Sequence, residues 1–120
     1  MSKVRARDLD VHVQRLRDSA DEDAPIVVFI HGLLTDSLAS YYFTLGPAFA
    51  EQGMDVIMYD LRGHGRTTRP STGYRLEDFV RDLDALLEEL DLRRPVHLVG
   101  NSFGGSIAYG LAAARPDRVA

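Results

Sequence analysis

Five residues, Gly100-Asn101-Ser102-Phe103-Gly104, have the types and spacing to build a nucleophile. They stand where a short apolar run gives way to a predicted helix starting at Phe103, the context a G-x-S-x-G motif requires. Gly100 and Gly104 suit a turn too tight for side chains on either flank. They let Ser102 take a strained backbone conformation with its hydroxyl standing proud. A helix starting at Phe103 adds its dipole and unclaimed N–H groups, so the Phe103 N–H is a candidate donor to an oxyanion. The competing reading is a glycine-rich strand–helix turn that cradles a nucleotide. Neither G-x-G-x-x-G nor G-x-x-x-x-G-K-[ST] is present, which counts against it.

Three more segments share the pattern: His31-Gly32-Leu33 after an apolar strand, Asp60-Leu61-Arg62-Gly63-His64-Gly65-Arg66-Thr67 after the next, and the closing Ala114-Arg115-Pro116-Asp117-Arg118-Val119. With Gly100 to Gly105 they occur in an order and at a spacing that resemble the N-terminal portion of the α/β-hydrolase superfamily, serine-nucleophile branch. The resemblance covers most of the chain from Pro25 onward. It implies a second oxyanion donor from the loop after the third strand: the Leu33 N–H, with Leu34 as the fallback. It implies that His31 and Gly32 brace that loop rather than supply a base. The Asp60–Thr67 loop is implied to be structural, with Gly63 and Gly65 permitting the turn and Asp60 and Arg62 holding it by hydrogen bonds. His64 is then part of that loop and not the base. Thr67 departs mildly from the family, where serine is commoner.

A serine hydroxyl is a weak nucleophile until an oriented base takes its proton. The family's chain order is Ser, then Asp or Glu, then His. After Ser102 the sequence offers Asp117 and no histidine. Neither acid nor base is assigned, and both are expected beyond residue 120. The 120 residues read as the first half of a domain: a truncated piece, a gene fragment, or a half that pairs with another chain.

The elements that must position these residues follow from periodicity. Residues 1–24 are predicted as an antiparallel hairpin, with His12 as a surface strand residue and an acidic turn over 18–24. Residues 26–30 and 56–59 are continuous β-branched and aromatic runs, as in parallel strands buried on both faces. Residues 39–52 suit a helix in which Pro47 implies an early start, a kink or two short pieces. Leu76, Phe79, Val80, Leu83, Leu86, Leu87 and Leu90 form one helical stripe. Residues 96–99 are a short strand, with His97 a sheet residue, and 103–115 a helix ended by Pro116. The fold class is α/β: a hairpin followed by βαβαβα with parallel strands, later strands absent. Within it, residues 25–38 form the oxyanion strand and loop, and 96–106 the nucleophile elbow. The 96–99 strand would leave an exposed apolar edge, prone to self-association or pairing with a complementing chain.

Composition sets the outer bounds. With 45% hydrophobic and 27% charged residues the chain is globular, and no stretch has the length of a membrane span. No secretory signal is visible, and a cytoplasmic protein is expected. A net charge of −4 does not favour nucleic acid or an anionic membrane. Of the 14 basic residues only Lys3 is lysine, read as codon bias. With no cysteine and no histidine pair at helical metal spacing, neither metal nor cofactor is expected.

The leading expectation is a serine hydrolase acting on a small acyl substrate (ester, thioester, lactone or activated carbonyl) through an acyl-Ser102 intermediate. Within the resemblance, serine at the elbow argues against the haloalkane dehalogenase and epoxide hydrolase branches, which use Asp there. Tyr41, Tyr42 and residues 68–74 are the candidate entrance. The alternative is a non-catalytic half-domain that pairs with another chain.

Overall fold

The computed structural model describes residues 2–18 and 21–120. Five strands make one sheet in the order β1-β2-β4-β3-β5. β1 (Ser2–Ala6) and β2 (Leu9–Leu16) form the antiparallel hairpin, with Val4 opposite Val11. β2 then runs antiparallel to β4 (Asp55–Tyr59), while β3 (Ile26–Ile30) is parallel to both β4 and β5 (His97–Gly100). Ser19 and Ala20, part of the expected acidic turn, lie outside the described residues, as does Met1.

Every residue of β3 and β4 is buried, because helices cover both faces of the sheet. Ile26, Val28 and Ile30 face α3 (Leu76–Glu89) and α4 (Phe103–Ala114). Val27 and Phe29 face α1 (Ala39–Tyr42) and α2 (Leu45–Glu51). The stripe of α3 presses Phe79, Leu83, Leu86 and Leu87 into the first of these layers, each burial contributing about 1.5–3 kcal/mol.

The helix expected over 39–52 is two pieces, with Pro47 in the first turn of α2, where its missing N–H goes unneeded. β5 starts one residue later than predicted. Val96 instead forms a parallel bridge with Val119, following the short helical turn Pro116–Arg118. Beyond that bridge, β5 is the edge of the sheet among the described residues.

His12 is a correction. It alternates with Val11 and Val13, and the alternation suggested a solvent face, yet it is only 5% exposed. The loop after β4 folds across β2 and covers it: the Asp60 N–H donates to the His12 carbonyl at 3.0 Å, and His12 Nδ1 meets Asp60 Oδ2 at 2.7 Å.

Candidate active site

Ser102 joins the end of β5 to the start of α4 with φ 55° and ψ −116°. A non-glycine residue in that region is strained, and the surroundings hold it there. The Asn101 N–H donates to the Ile30 carbonyl at 3.0 Å, and the Gly104 N–H to the Asn101 carbonyl at 2.9 Å. A Cβ on Gly100 would lie 2.5 Å from the Gly105 nitrogen, and one on Gly104 would lie 2.7 Å from the His31 carbonyl oxygen. Both glycines are therefore dictated by close backbone approach: Gly100 lets the first turn of α4 meet the end of β5, and Gly104 lets it meet the end of β3. The Ser102 side chain is exposed.

The loop after β3 comes to the same place. A Cβ built on Gly32 would be 3.7 Å from the Ser102 Cβ, so Gly32 lies directly beside the serine. The Gly32 N–H donates to Asp36 Oδ2 at 2.8 Å, and the Leu34 N–H to His64 Nε2 at 2.8 Å. Among the described residues, no turn, loop or side-chain hydrogen bond takes the N–H of Leu33 or of Phe103. The Phe103 amide directly follows Ser102, and the Leu33 amide follows Gly32, which packs against that serine.

His31 and His64 are committed elsewhere. His31 has no exposed surface; its Nδ1 lies 2.6 Å from the Gly32 carbonyl oxygen, and its Nε2 accepts the Leu61 N–H at 3.0 Å. Burial away from water holds the His31 imidazole below its ordinary pKa, so the neutral ring is favoured. His64 Nδ1 faces the Arg62 carbonyl at 2.8 Å, leaving Nε2 to accept from Leu34. The two rings are 5.2 Å apart between centroids and lock the loop after β3 to the loop after β4. His97 is exposed at the start of β5, its backbone in register with Val27.

Asp60 and Arg62 hold the Asp60–Thr67 loop. Asp60 accepts from the Leu38 N–H at 2.9 Å and the Arg66 N–H at 3.0 Å, besides its contact with His12. Thr67 Oγ1 donates to the Asp60 carbonyl at 2.6 Å and accepts the His12 N–H at 3.0 Å. The buried Arg62 guanidinium grips Asp82 on α3 through Nε and Nη2, both at 2.9 Å, and reaches Asp8 in the hairpin at 2.7 Å. The Asp82 carboxylate holds the guanidinium proton more firmly than usual, and Arg62 in turn holds Asp8 below the ordinary carboxylate range. Gly63 and Gly65 have φ of 75° and 50°, and a Cβ on Gly63 would lie 2.8 Å from the Tyr74 ring.

Ser102 opens onto a groove of about 570 Å³, lined by Leu76, Gly105, Ser106, Tyr109, Gly110 and Ala113. The expected entrance residues are not among them. Tyr41 is buried against Phe29, with ring centroids 4.7 Å apart, and Tyr42 lines a separate concavity with His12 and Asp60. α1 packs together with α2 on the face of the sheet opposite α4. Tyr109 was missed by sequence reasoning because it reads as one more apolar residue of α4. Asp36 was missed because a lone carboxylate in a loop has no signal beyond its spacing from Gly32.

A strand–turn–helix serine on a mixed sheet, its parallel strands covered by helices on both faces, defines a class of fold. Residues 25–120 match the family described as alpha/beta hydrolase fold, and the chain belongs to that family. It is 40% identical over 106 residues to a non-heme chloroperoxidase of Streptomyces lividans, covering 87% of this chain and 37% of that protein. It is 41% identical over 100 residues to a haloalkane dehalogenase of Mesorhizobium japonicum, covering 83% and 31%. The solved structure of Est816, an N-acyl homoserine lactone degrading enzyme, superposes with a TM-score of 0.83 at 32% identity, covering 98% of this chain and 42% of that one. The chain thus spans about a third of the length of these curated relatives.

Proposed function

We propose that this chain carries the nucleophile half of a serine hydrolase that cleaves a small acyl substrate, an ester, thioester or lactone. Ser102 Oγ attacks the carbonyl carbon, and the N–H groups of Leu33 and Phe103 receive the charge that develops on oxygen. The proton goes to a histidine outside these 120 residues, and water then releases the acyl group from Ser102. The observation that carries the reading is the strained Ser102 backbone with the Leu33 and Phe103 amides unclaimed beside it. The likeness to a lactone-degrading structure supports acyl chemistry, and Ser102 stands where the family resemblance implies Asp in the haloalkane dehalogenase branch. The exposed Leu33, Leu34, Leu76 and Tyr109 supply apolar surface for an acyl chain.

Fluorophosphonate labelling read by intact mass, beside a Ser102→Ala control, tests this. The expected result is a Ser102-dependent adduct on a longer chain that includes the histidine, with little or none on the folded 120 residues. An adduct that survives Ser102→Ala would place the nucleophile elsewhere. Rapid Ser102 labelling of the 120 residues alone would place the base within them.

A second reading, a half-domain completed by another chain, draws on the β5 edge, where the Val96–Val119 bridge starts a further parallel ladder. Pairing of the 120 residues with a separately expressed chain bearing Asp and His, measured by size exclusion, supports it; two non-interacting monomers would sink it.

A further inference from the structure

Three consecutive amides follow His31, and only the middle one is left unclaimed. The Gly32 N–H is held by Asp36 Oδ2 and the Leu34 N–H by His64 Nε2, each at 2.8 Å. Both acceptors are themselves fixed. Asp36 Oδ1 takes the Ser37 N–H at 2.9 Å and also the Ser40 hydroxyl, and these bonds keep its carboxyl below the usual range despite partial burial. The His64 ring is oriented by its Nδ1 contact with the Arg62 carbonyl, and Arg62 is anchored to α3 through Asp82.

The backbone between the two anchors is not relaxed. Leu34 has φ 71°, a conformation that costs a non-glycine residue energy, and its side chain is 85% exposed. Apolar packing therefore does not hold Leu34 in place. The hydrogen bond to His64 does, offsetting the strain from outside the loop. An oxyanion donor is effective only when its orientation is set before the charge develops, so a strained, solvent-facing loop needs such anchors.

We propose that Asp36 and His64 are positioning residues that clamp the amides of Gly32 and Leu34 and so aim the Leu33 N–H at the oxyanion beside Ser102. The inference rests on the reading of Ser102 as the acyl nucleophile. It gives His64 a task in the reaction other than proton transfer, and it adds Asp36, which no motif marks. Leu34 is excluded as the donor, since its N–H is already spent on His64.

The test is steady-state hydrolysis of a p-nitrophenyl ester by the full-length protein, with backbone amide resonances followed in the same variants. His64→Ala is expected to lower kcat about 10- to 100-fold with KM within about twofold, because a misaimed donor is lost only in the transition state. His64→Gln, whose amide oxygen can accept from Leu34, restores most of the rate. Asp36→Ala behaves like His64→Ala, and the Leu34 and Gly32 amide resonances move upfield in their respective variants. An unchanged kcat in folded His64→Ala, or a loss carried by KM, would overturn the proposal. If Ser102→Ala leaves turnover intact, the nucleophile reading fails. The Gly32 and Leu34 resonances then still decide whether the clamp exists.

Discussion

The backbone of Gly104 lies against the carbonyl oxygen of Ile30 so closely that no Cβ fits between them. This single approach joins the first turn of α4 to the C-terminal end of β3, and it brings the loop after β3 beside Ser102. Both partners are backbone, so neither can rotate away. Gly104→Ala should push α4 off the sheet and cost about 1–3 kcal/mol, the range for overpacking a close-packed site. A urea midpoint indistinguishable from the parent would show that the approach is looser than it looks.

Arg62 and Asp82 are both nearly buried and meet through two hydrogen bonds. Removing Arg62 takes two hydrogen bonds from the buried Asp82 carboxylate and leaves it Arg7 at 2.8 Å. Arg62→Met should destabilise by about 3 kcal/mol, the low end of the range for breaking a buried pair, because Arg7 still neutralises Asp82. Replacing both residues, Arg62→Met with Asp82→Leu, should recover a large part of that loss. A double-mutant cycle by chemical denaturation checks this, and strictly additive losses would count against a coupled pair.

Thr67 illustrates how little its departure from the family matters. Its hydroxyl bridges the His12 N–H and the Asp60 carbonyl, and a serine hydroxyl would make the same two bonds. Thr67→Ser should change stability by less than about 1 kcal/mol, within the usual spread for a substitution that breaks no interaction. Thr67→Val keeps the shape but leaves two buried backbone groups unpaired, at about 1–3 kcal/mol for each. Thermal melts of the two variants should separate clearly. Equal melting temperatures would mean that water replaces the hydroxyl.

His31 sets a pH dependence with a definite sign. Its folded pKa lies below the ordinary value of 6.5, chiefly because burial disfavours the charged ring. Between the folded and unfolded values the unfolded chain binds more protons, so stability rises with pH in that window. The contribution is fully present above about 6.5 and is lost as pH falls through the folded pKa. Urea midpoints of the parent should therefore fall on acidification below that value more steeply than those of His31→Gln. Parallel curves would remove His31 from the account.

Much of the fold is legible in the sequence because its signals are local. The apolar runs of β3 and β4, the single stripe of α3 and the glycines around Ser102 each encode their own conformation, and the burial of both sheet faces follows from the lack of alternation. Pro47 marks a disturbance without saying which kind, since an early start, a kink and a split all accommodate a residue with no N–H to donate. The concave surface at Ser102 was not legible. Which aromatic residues reach it depends on the face of the sheet on which α1 packs, and that is set by long-range contacts such as Tyr41 against Phe29.

By itself the sequence determined the elements, their α/β order and the strand–turn–helix in which Ser102 sits, because hydrophobic period and glycine spacing act over a few residues. Only the tertiary structure decided what the histidines do. His12 became a buried partner of Asp60 when the sheet order set β2 beside β4, a contact across 48 residues. His64 became an acceptor for Leu34 when two loops met over the end of the sheet, 30 residues apart. A polar side chain's role is fixed by the partner brought to it, and such partners come from topology, which no local pattern records.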